Sequence, residues 1–439
     1  MNNNEAFIST LKNIRPIEGA DKIKLADVTL NNIPITQIVV GADTQEGLKV
    51  VYFDSNMALE DSTIEALDKV SVGYGKEDFT SVGKYLAKGN RVKVVKLRQQ
   101  ISNGLAIEVA KFFQFFKSES EAMKTLIEGF SFTELNGIKI CHKWLPPVRN
   151  QNSGKGNKEH KGKKKVSRII PELFHFHVDT QQLARNVHNI KPTDVISLSK
   201  KFHGTSAICS HTKVLKKLSV IDKIFNFLKL PVEKTEWDYL YASRSVIKNE
   251  AEGTGFYKVD LWTEVGKKCF ENRLHKGETV YYEIVGYLPN TSSFIQKHFD
   301  YGCNIGEYKV KVYRITSTNE DGVVFEYSWQ AMKERCVELN VEHVEEFFFG
   351  RAKDLYPELS TEEHWHENFL ANLKRDYLEK DLTINKIKKV PDEGVVLRVE
   401  AKDIQVYKLK SEKFFAFESS AKEDENNVDL EEQEEAASE

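Results

Sequence analysis

Alternating or continuous apolar runs set the reading of the first third of the chain. DKIKLADVTL, IPITQIVVG, LKVVYFD, NRVKVVKLR and NGLAIEV are short, β-type, and bounded by Asn, Gly or Asp. One segment with helical spacing, LEDSTIEALDKV, falls between the third and fourth. RNQNSGKGNKEHKGKKKVSR, residues 149–168, breaks the pattern: it is poor in hydrophobics and rich in Gly, Asn and Lys, and reads as an exposed basic linker. Beyond it, strands are expected at DVISLSKK, LYASRS, ETVYYEIVG, YKVKVYRIT, GVVLRVE and VYKLK. Helices are expected at WTEVGKKCFENRL, at Gln330–Leu339 and at TEEHWHENFLANLKRDYLEK, where Trp365, Phe369, Leu373 and Tyr377 recur at helical spacing.

The fold class expected is therefore α+β. Five strands with a helix between the third and fourth is the arrangement of an OB-type β-barrel, expected over residues 1–148. IRPIEGADKIKLADV together with KLRQQISNGLAI resembles the OB modules related to tRNA-binding domains. Arg91, Lys93, Lys96 and Arg98 lie on one strand and its end, where they could meet a sugar-phosphate backbone. Alternation is equally consistent with a solvent face. Residues 169–417 read as a second, mixed α/β domain and 418–439 as an acidic disordered tail.

With 439 residues, two domains plus connectors is the natural division. No apolar run reaches the roughly 20 residues needed to span a bilayer, and the N-terminus has no apolar core of the signal-peptide type. Five scattered cysteines, odd in number and never in a CxxC pair, point to a reducing, cytoplasmic setting without disulfides or a zinc ribbon. The net charge of −3 hides an asymmetry: nine acids against one lysine fall between Ala421 and Glu439, so the rest of the chain is mildly basic and compatible with a polyanionic partner.

Candidate chemistry centres on SKKFHGTSA, where a strand ends in Lys200 and Lys201 and a turn follows. A lysine attacking a phosphorus needs companions: an aromatic face for a base, a group for the ribose, a carboxylate for a metal, and cations for phosphate charge. In chain order the sequence offers Lys201–Phe202–His203–Gly204, then SRS with Arg244, YYEIVG with Glu283, KVYRIT with Tyr313, EGVVLR with Glu393, and KLK with Lys408 and Lys410. Alternation favours Lys201 over Lys200, because Leu198 and Lys200 share a face that Lys201 does not. Two histidine pairs are also candidates. His364 and His366, two apart on a helix, face different ways and suit a helix surface better than a shared metal. His175 and His177 could share a strand face, as core packing or as a contact to nucleotide.

These six elements resemble, in order, the motifs of the covalent nucleotidyltransferases: DNA ligases, RNA ligases and capping enzymes. KFHGTSA, with His203 where DNA ligases and capping enzymes carry Asp, is similar to the RNA ligase 2 group. A leading OB module resembles the Deinococcus-type RNA ligases and their phage and protist relatives. The resemblance spans residues 170–416 and implies an ATP-grasp-like ligase domain of antiparallel sheets with flanking helices. It implies ATP as AMP donor, Mg²⁺ or Mn²⁺ as cofactor, and an RNA partner, a nicked duplex or a broken strand, bound by a monomer without membrane attachment. Residue by residue, it implies that Lys201 forms the lysyl-AMP bond, with His203 and Gly204 completing the motif. Arg244 holds the ribose or the 5′-phosphate, Glu283 contacts the ribose or a metal-bound water, Tyr313 stacks on adenine, Glu393 and Glu283 serve the metal, and Lys408 and Lys410 grip the α-phosphate. A guanylyltransferase using GTP, and a catalytically idle RNA-binding module, are the alternatives. The segments 211–238 and 340–385 read as insertions.

Overall fold

The computed structural model describes residues 4–72, 82–147, 168–216, 219, 222, 227–228, 234–248, 260–359 and 364–423. The basic linker, apart from Arg168, and the tail beyond Glu423 lie outside the described residues. So does most of the stretch between 217 and 233.

The N-terminal module contains β1 (Ala6–Ile17), β2 (Ala20–Leu30), β3 (Ile33–Gly41), β4 (Lys49–Phe53), α1 (Asp61–Val72), β5 (Val94–Leu97), β6 (Gln100–Asn103) and β7 (Leu105–Glu108). The main sheet runs β7-β4-β1-β2-β3, all neighbours antiparallel. Its central strand, β1, is missing from the sequence-based expectation. The first half of β1 is buried on both faces, from Ala6 to Leu11, and so lacks the period-two signal of a half-exposed strand. No sheet closes among the described residues, in place of the expected barrel. The β3 edge meets the β5–β6 hairpin through side chains instead of a ladder: Val39 N donates to Ser102 Oγ (2.9 Å) and Gln37 Nε2 to Ile101 O (3.1 Å).

The second part begins with β8 (Val195–Lys201), β9 (Thr205–Leu215), β10 (Thr235–Ser243), α2 (Leu261–Phe270), β11 (Glu278–Gly286) and β12 (Tyr308–Thr318). It ends with α3 (Trp329–Glu338), β13 (Glu346–Arg351), α4 (Trp365–Tyr377), β14 (Gly394–Val399), β15 (Gln405–Lys410) and α5 (Glu412–Glu423). Two mainly antiparallel sheets result. One runs β15-β14-β8-β13, with Gln181–Gln182 added in parallel beside β15; the other runs β10-β9-β11-β12 and continues to Val324–Glu326. The expected strands and helices here are all present. The 340–385 segment is more than an appendage, because β13 pairs with β8 from Val195 opposite Arg351 to Ser199 opposite Glu346, with one register shift after Leu198.

The largest core cluster packs α2, α3 and α5 against the β9–β12 sheet around Trp262, Phe270, Tyr282, Trp329 and Phe414. Within it Arg335 donates twice to the fully buried Glu278 carboxylate, both bonds at 2.9 Å. Such a charge is tolerated inside only because its partner is present.

A polar seam joins the two parts. The Glu412 carboxylate accepts from Thr36 Oγ1 (2.6 Å) and Asn103 Nδ2 (2.9 Å), and Lys374 Nζ donates to the carbonyls of Pro34 (3.0 Å) and Ile35 (2.9 Å). Arg185 pairs with Asp54 at 2.6 Å. Helix α5 passes straight through the expected boundary at residue 417 and carries Ser419 to the Val94 amide, which donates to Ser419 Oγ at 3.1 Å.

Candidate active site

Lys201 is the last residue of β8, and after three intervening residues the chain enters β9 in the other sheet. The turn is possible because residue 204 is glycine: a Cβ there would lie 2.3 Å from the Ile284 carbonyl oxygen. The nucleophile candidate is thus presented between two sheets. Opposite it, Gly394 starts β14 at φ +140°, a backbone region open to glycine, with the Leu409 carbonyl 2.1 Å from where a Cβ would stand. This close approach brings Glu393 against Lys201 and Lys410, since Lys201 and Lys410 both pair with Gly394 in the ladders.

A cavity of about 820 Å³ opens between the sheets. It is lined by Lys200, Lys201, Arg244, Glu283, Tyr313, Lys408 and Lys410 among others, so most of the sequence-derived set converges there. Seven cationic side chains against three carboxylates line it, a balance suited to a polyphosphate. Lys201 Nζ and Lys410 Nζ each lie 3.0 Å from Glu393 Oε1. Glu393 itself is buried at 2% exposure just behind the wall. Burial alone would raise its pKa, but the Lys201 and Lys410 ammonium groups outweigh that and hold it at about 2. Lys408 moves the other way: burial, then the charges of Lys410, Lys201 and Arg244, lower it to about 7.

Tyr313 stands on the opposite wall. Its hydroxyl shares a hydrogen bond with Ser206 Oγ (2.8 Å) and another with His177 Nδ1 (3.4 Å), and the His177 ring meets it edge-on. The His175–His177 segment is loop, not strand, and it brings His177 onto the cavity wall. Arg244 is paired with Asp179 at the same wall. Glu283 Oε1 accepts from the Gly204 amide at 2.9 Å.

Three expectations need correction. His203 is not on the cavity wall: its ring packs edge-on against Phe299 (4.8 Å) and Phe414 (5.0 Å), and burial lowers its pKa to about 4. Gly204 also lies behind the wall, where it serves the turn. Arg91 does not face a backbone ligand, being 2% exposed, with its guanidinium against Ser419 and over the Trp144 ring. Lys96 and Arg98 remain exposed at the β5–β6 hairpin, and Lys93 is half-buried. His366 donates to or accepts at no metal cluster; its Nε2 lies 3.0 Å from the Ile190 carbonyl, and among the described residues no group of three or more His, Cys, Asp or Glu side chains is arranged for a metal ion.

The structure also adds residues that motif reading passed over. Lys200 pairs with Asp392 at 2.7 Å, each residue one position before its counterpart in the Lys201–Glu393 pair. Arg314 and Glu326 form a bidentate pair on the wall, at 2.7 to 2.9 Å, and Arg398 lies beside them. Arg314 and Arg398 sit inside the quoted motifs KVYRIT and GVVLR, so their positions were visible although their facing was not.

Among solved structures the chain is similar to those of a Naegleria gruberi RNA ligase. One is a mutant with ATP and Mn (16% identity, TM-score 0.53, covering 93% of this chain and 98% of that one). Another is a mutant with AMP and Mn (17%, TM-score 0.53, 93% and 97%), and a third is the protein with PPi (15%, TM-score 0.52, 94% and 98%). At this identity the likeness is one of fold, and it extends over nearly the whole of both chains. No family model matches the chain, and no curated protein matches it.

Proposed function

We propose that the chain is an ATP-dependent RNA ligase that joins an RNA 3′-hydroxyl to a 5′-phosphate, at nicks, through a lysyl-AMP on Lys201. The observation that carries this reading is the shared Glu393 carboxylate between Lys201 and Lys410 at the edge of a cation-lined cavity. The fold likeness to RNA ligase structures holding ATP, AMP or PPi supports it.

In the first step Lys201 Nζ attacks the α-phosphorus of ATP, a phosphorus–nitrogen bond forms and pyrophosphate leaves. Attack requires the neutral amine, so the Lys201–Glu393 ion pair opens as the triphosphate enters. Lys408 and Lys410 hold α-phosphate oxygens, Arg244 and Glu283 hold the ribose, and Tyr313, fixed by Ser206 and His177, offers its ring to the adenine. An oxygen of the RNA 5′-phosphate then takes AMP from Lys201, and the RNA 3′-hydroxyl displaces AMP to close the phosphodiester. Mg²⁺ or Mn²⁺ would supply neutralisation of phosphate charge. Glu393 Oε2, buried without a hydrogen-bond partner among the described residues, and Glu283 are the carboxylates that fit it; two carboxylates leave room for phosphate oxygens and water in the shell. The N-terminal module, an OB-type platform in this reading, positions the broken strand with Lys96 and Arg98.

The test is incubation with α-labelled ATP and Mg²⁺, denaturation, and detection of label on the chain. Label lost in Lys201→Ala but kept in Lys200→Ala supports the reading. Label from GTP alone, or none from either nucleotide in folded, AMP-free protein, overturns it.

A further inference from the structure

One face of helix α5 is built around Lys410. Phe414, Phe415 and Glu418 stand three and four residues apart and so share that face. The Lys410 ammonium lies 5.0 Å from the Phe414 ring centroid, 5.8 Å from that of Phe415, and 3.6 Å from Glu418 Oε1. On its other side is Glu393 Oε1 at 3.0 Å. Lys410 is therefore held between two carboxylates, one from the start of β14 and one from a helix that follows the last ligase-like motif. Glu418 falls where the sequence suggests only an acidic tail.

Glu418 is a mostly covered anion, its side chain 17% exposed. Burial pushes its pKa up, and Lys410 and then Lys422 more than offset this, keeping it well below the usual carboxylate range. It is also anchored. Lys422, one turn on, lies 4.0 Å from it and donates to Asn56 Oδ1 in the N-terminal module at 3.0 Å. The neighbouring Ser419 accepts from the Val94 amide. The helix carrying Glu418 is thus seated on the N-terminal module at both ends, through Glu412 and through Ser419 and Lys422.

The need for a second carboxylate follows from the sharing of the first. Glu393 Oε1 receives two ammonium groups, and a lone carboxylate would let them crowd or exchange. We infer that Glu418 is a positioning residue for Lys410: it holds that ammonium from the α5 side while Glu393 holds it from the other, fixing it where an α-phosphate oxygen arrives, and its own place depends on the seated N-terminal module. This inference rests on the adenylation reading above.

The experiment measures the single-turnover rate of label transfer from α-labelled ATP, over a range of ATP concentrations, in wild type, Glu418→Gln, Glu418→Asp, Lys410→Ala and the Glu418→Gln/Lys410→Ala double variant. A group acting only through Lys410 is non-additive with it. The expected result is a rate at saturating ATP at least tenfold lower in Glu418→Gln, with the half-saturating ATP concentration changed less than threefold. No further loss is expected in the double variant beyond Lys410→Ala. A wild-type rate in Glu418→Gln, or an equal further loss on the Lys410→Ala background, overturns the inference. Should Glu418→Gln fold poorly, Glu418→Asp decides: a rate within threefold of wild type supports the role, and one as low as Lys410→Ala overturns it. Failure of the adenylation reading would show separately, as absence of label in the wild-type protein, and would remove this inference with it.

Discussion

Lys201 and Lys410, on strands β8 and β15, aim their ammonium groups at the same atom, Glu393 Oε1, each from 3.0 Å. The strand that brings Glu393 between them, β14, pairs with both. Removing the carboxylate leaves two adjacent cations without their shared counter-charge. Glu393→Gln is expected to lower the rate of label transfer from ATP by at least about 100-fold, the scale of losing an electrostatic group at a reacting centre. Single-turnover kinetics with α-labelled ATP measures it.

Lys408 has its pKa lowered to about 7, so near pH 8 it is mostly neutral in the free protein. A bound triphosphate favours its charged form, so nucleotide binding should take up a proton at that pH. Calorimetric titration in buffers of different ionisation enthalpy should show this uptake in wild type and lose it in Lys408→Met. The sign for stability follows from the same shift. Between about pH 7 and the unfolded-chain value near 10.5, the unfolded state holds the proton that the folded state has released. Wild type therefore gains stability relative to Lys408→Met as pH rises through that window.

Gly394 carries φ +140° with the Leu409 carbonyl oxygen 2.1 Å from a would-be Cβ. Gly394→Ala must either strain the backbone or part β14 from β15 beside Glu393. A loss of about 3 kcal/mol in unfolding free energy is expected, read by urea denaturation, together with loss of adenylation.

The four basic residues first grouped on one strand should separate by experiment. Lys96 and Arg98 are exposed, and Lys96→Ala and Arg98→Ala should each weaken RNA binding and reduce the salt slope by about 1, leaving ATP labelling intact. Arg91 is buried against Ser419 and Trp144, so Arg91→Ala should lower the melting temperature instead.

Glu278 tests the core apart from the site. Its carboxylate is fully buried and receives Arg335 twice. Glu278→Ala takes away two of the guanidinium's partners and leaves it with Glu338 and the Arg273 carbonyl, and a destabilisation of about 3 kcal/mol is expected in chemical denaturation.

Much of this site was legible in the chain itself. Lys201, Arg244, Glu283, Tyr313, Glu393, Lys408 and Lys410 each sit on a strand or at its end, and strands announce themselves by β-branched and alternating runs with glycine at the breaks. Their order along the chain was enough to group them, because antiparallel sheets of short connection bring successive strand ends together. The choice of Lys201 over Lys200 by alternation pointed to the residue on Glu393, although β8 is buried on both faces from Ile196 to Ser199 and both lysines reach the cavity.

What periodicity could not carry was facing and docking. β1 is the centre of its sheet yet was invisible, since a strand covered on both sides has no polar alternate. Arg91 and Lys96 belong to one apolar-basic run, and only the seating of α5 decides that the first is buried and the second exposed. His203 occupies a motif position, but Phe299 and Phe414, 96 and 211 residues away in the chain, draw its ring behind the wall. Glu418 looked like the start of a charged tail, and it becomes a partner of Lys410 because one helical face packs there. Local pattern determines which segments form strands and helices and which side chains can do chemistry. Which of those side chains share a cavity is settled by long-range packing, where burial of each charged group is permitted only when a distant partner arrives to meet it.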